Sequence, residues 1–240
     1  MTQNTEKQTV VDVAERETKT LVETVLSAET VVSVGKGASL THYRLAEDAE
    51  NTLTVRLDAG ASYTLITLAL GTGKLRIAAD LAGEGAVCRS DVVYAATDDE
   101  VLSLQTDFTH NADKTVSRQL VKGAANGRAK ASFEGRILIP YDKKEIDGSQ
   151  QHRALLLSRD CEIAAVPRLE IYADDVKCAH GSAVGSLNAE QLYYMRARGL
   201  DENEARRLLT TAFLNEVLDG IRDEALRSDW EAQTAERIGL

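Results

Sequence analysis

From about residue 29 to 187, short strand-like runs alternate with turn clusters at a nearly constant spacing. Thr52–Leu57, Ser62–Leu68, Lys74–Ala78 and Glu100–Gln105 are rich in Val, Leu, Ile and Thr and alternate in polarity. Period-2 alternation between turn signals reads as β-strand. Small or polar clusters open these runs near 59, 82, 97, 112, 125, 142, 158 and 173; after the first interval the gaps are 15, 15, 13, 17, 16 and 15. A short, constant period predicts a solenoid, in which each coil buries its apolar side chains only by stacking on its neighbours. A sandwich or jelly roll is the rival, since the hairpin dipeptide Asn126-Gly127 occurs once. Two prolines, Pro140 and Pro167, interrupt the region, as expected where most strands are internal.

Composition agrees with thin layers rather than a large globular core. Hydrophobic residues make up 43% of the 240, but aromatics only 5%. The net charge of -10 argues against a nucleic-acid or anionic-membrane partner. Three cysteines (Cys88, Cys161, Cys178) without CxxC spacing are no disulfide framework and suggest a reducing compartment. The first residues, Met1 to Gln8, have no apolar h-region, so no secretory signal is expected; no apolar run is long enough for a membrane span. A cytoplasmic location follows as the expectation.

Two flanking segments differ from this texture. Val10, Val13, Leu21 and Val25 are loosely spaced for one helical face, so residues 7–27 read as a short amphipathic helix, with part of it open to strand. After Asn188, a plausible N-cap, 189–198 reads as a helix ending at Gly199. A second helix starts after Asp201 and carries an apolar stripe through Ala205, Leu208, Leu209, Ala212, Phe213 and Val217. Ile221, Ala225 and Leu226 continue it, giving a helical hairpin, with Trp230 and the tail expected to be less ordered. The chain divides into an N-terminal segment (1–28), a β core (29–187) and a helical domain (188–240).

The residues most suited to chemistry are Cys178 and His180. On a strand, their spacing of two turns both to one face. A soft sulfur and a borderline nitrogen suit iron or zinc but leave a coordination shell incomplete, so a partner or distant residues would finish it. The plainer reading is a small buried thiol and a hydrogen-bonded imidazole. Cys161 lies about one period before Cys178, which would stack the two as core cysteines. His110 and His152 fall in turn-like stretches and read as exposed; Gly71-Thr-Gly-Lys74 reads as a hairpin-like turn, and Asp174-Asp175 as a solvated corner.

Longer motifs resemble the SufB/SufD family of iron–sulfur cluster assembly proteins. Ile171–Leu187, followed by Gln191–Leu200, is similar to the family's "Ala-Asp-Asp-Val-Lys-Cys-Ser-His-Gly-Ala-Thr-Val-Gly" and "Leu-Phe-Tyr-Leu-Arg-Ser-Arg-Gly-Ile". Thr115–Gly123 resembles "Thr-x-Ser-Arg-x-x-x-Lys-Gly", Phe133–Ile137 resembles "Phe-x-Gly-x-Ile", and Leu155–Ser158 resembles "Leu-Leu-Leu-Ser". The chain departs from the pattern at Ala179, Ser182 and Ile146–Gln150, and is shorter than typical members.

The resemblance implies a right-handed parallel β-helix with a C-terminal α-helical domain. It also implies a SufD-like, non-enzymatic scaffold that pairs with a SufB-like subunit through the β-helix. A SufC-type ABC ATPase would dock on the C-terminal helices, here through Tyr193, Tyr194, Leu208, Phe213 and Leu214. A transient iron–sulfur cluster would form at the subunit interface, with Cys178 and His180 as the donors of this chain and no cluster held tightly by the chain alone. A homodimer is the alternative pairing. A β-helix that self-assembles without cluster chemistry, and a carbohydrate-active β-helix enzyme, are the rival functions.

Overall fold

The computed structural model describes residues 8–239; residues 1–7, most of the stretch read for a secretory signal, lie outside it. The strands are β1 (Gln8–Val13), β2 (Thr18–Glu23), β3 (Glu29–Val34), β4 (Ser39–Glu47), β5 (Glu50–Leu57), β6 (Ser62–Leu70), β7 (Gly73–Leu81), β8 (Val87–Ala96), β9 (Val101–His110), β10 (Val116–Ala125), β11 (Lys130–Ile139), β12 (Lys144–Leu156), β13 (Glu162–Ile171) and β14 (Asp175–Gly185). Three helices follow: α1 (Ala189–Ala197), α2 (Glu202–Leu218) and α3 (Glu224–Ile238).

Odd-numbered strands form one seven-stranded sheet and even-numbered strands another, each in chain order and each parallel throughout. Each coil therefore gives one strand to each sheet and pairs only with the coils before and after it. Thr18 pairs with Ser39, whereas Gln150 pairs with His180, so the coils lengthen along the chain. The turn-to-turn spacing seen in the sequence is half a coil: one strand and one corner. The corner at Gly60 shows why the turn clusters carry glycine: its φ of +66° suits a residue without a side chain.

Two expectations give way here. Residues 7–27 contain β1 and β2 rather than a helix, because Val11 and Val13 turn inward beneath Val32 and Val34 at period 2. The β-branched residues that fit loosely on a helical face fit a pleated one. Gly71-Thr-Gly-Lys74 is a corner joining β6 to β7, strands of different sheets, and not a hairpin.

The inward faces of both sheets make the main core, including Leu53, Val55, Leu65, Ile77, Phe108, Val121 and Phe133. Near the N-terminal end a polar cluster replaces apolar packing. Glu23 accepts from Arg44 Nε at 2.7 Å and lies 3.2 Å from His42 Nε2, and Arg44 also donates to Asn51 Oδ1 at 2.7 Å. Burial raises the Glu23 carboxyl, but His42 and Arg44 outweigh it and hold it at about 2.

α2 and α3 cover the outer face of the even-numbered sheet. Leu214, Val217, Leu218, Ile221, Trp230 and Ile238 pack on Tyr43, Ile66, Leu68, Val93 and Ala124. The single long second helix expected from the sequence is broken at Gly220. Asp223 then caps α3, its side chain accepting from the amides of Ala225 and Leu226. Trp230 is fully buried rather than part of a loose tail. No described helix is long and apolar enough to cross a membrane.

Lys122 is the polar fastening between helices and sheet. Its ammonium donates to Phe213 O at 3.0 Å, pairs with Glu216, and lies 4.3 Å from the Phe213 ring centroid. The Lys122 side chain is 2% exposed and that of Glu216 57%. Removing the carboxylate strands a buried charge, whereas removing the lysine leaves a carboxylate that water can solvate. Glu216→Ala is therefore expected to cost roughly 1–3 kcal/mol in urea unfolding, and Lys122→Met less.

Candidate functional site

The site lies where the stacking stops. β13 and β14 are the last strands of their sheets, so one edge of each is free among the described residues. β14 pairs on its other side with β12: Gly148 with Cys178, Gln150 with His180, His152 with Ser182. Ile146, Gly148, Gln150, His152 and Ala154 alternate inward on β12 and are buried. Their partners on β14 share that orientation, but no further coil covers them. Val176 and Cys178 are half-buried against Ile137, Ile139 and Ile146, while His180 and Ser182 are exposed.

Cys178 and His180 therefore lie on the same side of one strand, at an open end, as their spacing of two predicts. Cys161 does not stack on Cys178. A full coil near this end is about twice the assumed period, so Cys178 sits over Gly148. Cys161 lies before β13, half a coil away, with Sγ donating to Ala125 O at 3.2 Å.

Gly148 gives the Cys178 thiol its room. A Cβ there would stand 3.2 Å from Cys178 Sγ, 3.5 Å from Ser117 Oγ and 3.6 Å from His110 Nε2. Burial raises the Cys178 thiol above its usual range, and Asp147 adds to this; the Gly148 amide and Arg118 act the other way. The thiol therefore favours its protonated form until a metal or a cationic partner draws the proton off. Among the described residues no group of three His, Cys, Asp or Glu is placed to hold a metal ion. Cys178 and His180 offer two donors, and a full set needs others.

Beneath them lies a buried polar layer that the sequence reading missed. His110 is buried, with Nδ1 2.8 Å from Thr115 Oγ1 and Nε2 2.9 Å from Ser117 Oγ. His152 is buried between Tyr94 Oη and Ser182 Oγ, each at 3.1 Å, and stacks on Phe133 at 5.0 Å. Both had read as exposed. The available signal was parity: Gly148, Gln150 and His152 alternate with Ser149, Gln151 and Arg153. Gln150, His152, His180 and Ser182 line a cavity of about 260 Å³ open to solvent. Asp174 and Asp175 are exposed at a corner, as read.

The sequence motifs acquire physical roles. Phe133 stacks on His152, and Gly135 leaves space for Gln150, whose Nε2 would stand 2.2 Å from a Cβ there. Gly123 leaves space for Tyr94, whose ring would come within 1.8 Å of a Cβ.

On the helices, Tyr193 (77% exposed) and Tyr194 (58%) are exposed on α1, with the Arg198 guanidinium 4.9 Å from the Tyr194 ring centroid, and Leu208 is exposed on α2. Arg198 donates to Tyr194 Oη at 2.7 Å. Leu214 and Phe213 are placed otherwise. Leu214 is fully buried against the even-numbered sheet, and Phe213 is partly buried beneath Lys122. Their apolar surface holds α2 in place and is not free to dock a partner.

Residues 3–213 match the family model described as SUF system FeS cluster assembly, SufBD core domain. The chain belongs to the SufBD family. It is 33% identical over 221 residues to the iron-sulfur cluster assembly protein SufD of Escherichia coli, covering 88% of this chain and 52% of that protein. It is 30% identical to the SufBD family protein slr0076 of Synechocystis, covering 79% of this chain and 44% of that protein. It is 29% identical to the chloroplastic protein ABCI7 of Arabidopsis thaliana, covering 82% and 43%. The chain thus spans about half the length of the curated relatives it matches. Its family connects it to iron–sulfur cluster assembly.

The buried imidazoles make stability depend on pH. Burial pushes His110 down to about 4, against the raising effect of Asp147, and pushes His152 to about 4. An unfolded histidine titrates near about 6.5, so between these values the unfolded chain binds protons that the folded chain refuses. Their contribution is complete above about pH 6.5 and is lost as pH falls toward about 4. Thermal unfolding followed by circular dichroism should show a falling midpoint across that window, with a shallower fall in His110→Gln; equal slopes would contradict the assignment.

Proposed function

We propose that this chain is a non-enzymatic scaffold subunit of a Suf iron–sulfur assembly complex, built as a right-handed parallel β-helix. Its β13–β14 end pairs with a SufB-like subunit. Cys178 and His180 contribute sulfur and nitrogen to a cluster that forms transiently at that joint, as cargo. The supporting observation is the coincidence of two features on β14: a free strand edge and a same-facing Cys-x-His pair. A free edge carries unpaired amides and carbonyls and invites strand pairing. The donor chemistry suits iron, and the missing ligands would come from the partner.

The helical part supports a second contact. Tyr193 and Tyr194 form an exposed aromatic face on α1, the residue type that anchors protein interfaces. We assign this face, with Leu208, to a SufC-type ABC ATPase. Closure of two such ATPases would pull on the helices, and Lys122 would pass the movement to the sheet and so to the joint. The cytoplasm is the compartment this reading requires.

Co-expression with SufB-like and SufC-type partners tests both contacts. The Cys178→Ala, His180→Ala double variant should co-purify normally but lose most of its iron and acid-labile sulfide. Iron content equal to the unaltered complex removes the site assignment. Tyr193→Ala with Tyr194→Ala should weaken ATPase capture by about 2 kcal/mol or more in calorimetry. Unchanged affinity would move the ATPase contact elsewhere. If the chain forms only end-to-end oligomers of itself and retains no iron with any partner, the self-assembling reading takes its place.

A further inference from the structure

The interior below His180 contains a pinned amide that the donor pair itself does not explain. Ser90, Gln119, Gln150 and His180 occupy matched positions on β8, β10, β12 and β14. They form an inward-facing column of polar residues through four successive coils, ending at the open edge. Gln150 is 0% exposed. Its Nε2 faces Gln119 Oε1 at 3.3 Å and Thr106 Oγ1 at 3.4 Å. The absence of a side chain at Gly135, across the interior, leaves the amide its space. Among the described residues its Oε1 has no partner. A buried carbonyl oxygen without a donor gives up its hydration with nothing in exchange, so a structure that holds one in place calls for an explanation.

On the open side of Gln150 the residue in register is His180; on the inner side it is Gln119, whose Nε2 is also without a partner among the described residues. Gln150 and His180 are paired in register, so their backbones lie one strand spacing apart, about 4.8 Å. Both line the same open cavity. Among the described residues no further coil covers His180, which is exposed at the opening.

We infer that Gln150 is a positioning residue for His180: its buried Oε1 accepts the N–H of one imidazole nitrogen and directs the other nitrogen outward. Histidines that ligate metals are commonly oriented this way, by a carbonyl or carboxylate behind the ring. A backing bond fixes the tautomer before any ligand arrives and limits the rotation lost on binding. His152 cannot serve in this role, because Tyr94 and Ser182 already occupy both of its nitrogens.

This inference rests on the reading of His180 as a donor, and its test separates the two. Long-range proton–nitrogen correlation spectra of the ¹⁵N-labelled full chain, without metal and at about pH 8, report which ring nitrogen carries the proton. His180→Gln identifies the signal. The unaltered chain should show one predominantly protonated nitrogen at His180, and Gln150→Met should show the mixture of an exposed imidazole. An exposed-type mixture in the unaltered chain overturns the inference even if Gln150→Met fails to fold. So does an unchanged His180 spectrum in a folded Gln150→Met chain. Iron retained by the partner complex should fall about 10–100-fold in Gln150→Met. Iron retention that is indifferent to His180→Gln would sink the donor reading and leave the tautomer result standing.

Discussion

Parallel pairing between successive coils is the constraint on which the rest of this structure depends. No coil can bury its inward side chains alone, because each strand is flanked in its sheet only by strands one coil away. Interior strands pair on both edges, and their inward residues are covered by the coils on either side. Among the described residues the last coil lacks a neighbour on one side, and β14 consequently leaves Cys178, His180 and Ser182 at an open mouth. Exposure of those side chains is a property of ending the stack, as much as of the residues themselves. A partner with a matching edge would complete both the hydrogen bonding and the ligand set, so assembly and chemistry would share one surface.

The interior changes character along its length. In the middle coils it is filled by Leu, Val, Ala and Phe. Approaching β14 it becomes polar, with His110, Thr115, Ser117, Gln119, Gln150 and His152 all buried. Buried polar side chains give up hydration, and some atoms here, such as Ser90 Oγ and Gln119 Nε2, find no protein partner. A protein selected for packing alone would place apolar residues there. Buried polar side chains also cluster at the other end of the stack, around Glu23, His42, Arg44 and Asn51; those beneath the open mouth fit a role in orienting groups at that mouth. The glycines at 123, 135 and 148 serve the same region, each clearing space for a larger neighbour: Tyr94, Gln150 or Cys178.

Much of this was legible in the sequence. Alternation in Thr52–Leu57 and Ser62–Leu68 marked strands that exist, and the recurring turns marked corners that exist. The two-residue spacing of Cys178 and His180 gave their common face. What the sequence withheld was the number of strands per coil, because one corner looks like another when only turn residues are visible. That single ambiguity halved the coil and wrongly stacked Cys161 on Cys178. His110 was misread because it ends β9, and His152 because its polar neighbours Ser149, Gln150, Gln151 and Arg153 resemble a turn although it lies inside β12; in both, parity still points inward. Trp230 was misread because its burial depends on the outer face of a sheet more than a hundred residues earlier.

Hydrogen exchange on β14 examines the core of this account most directly. The amides of Asp175–Gly185 directed away from β12 should exchange rapidly in the isolated chain and become strongly protected on adding a SufB-like partner. Slow exchange in the isolated chain, or exchange unaffected by a bound partner, would show that this strand is not the joint and that the donors on it do not sit between subunits.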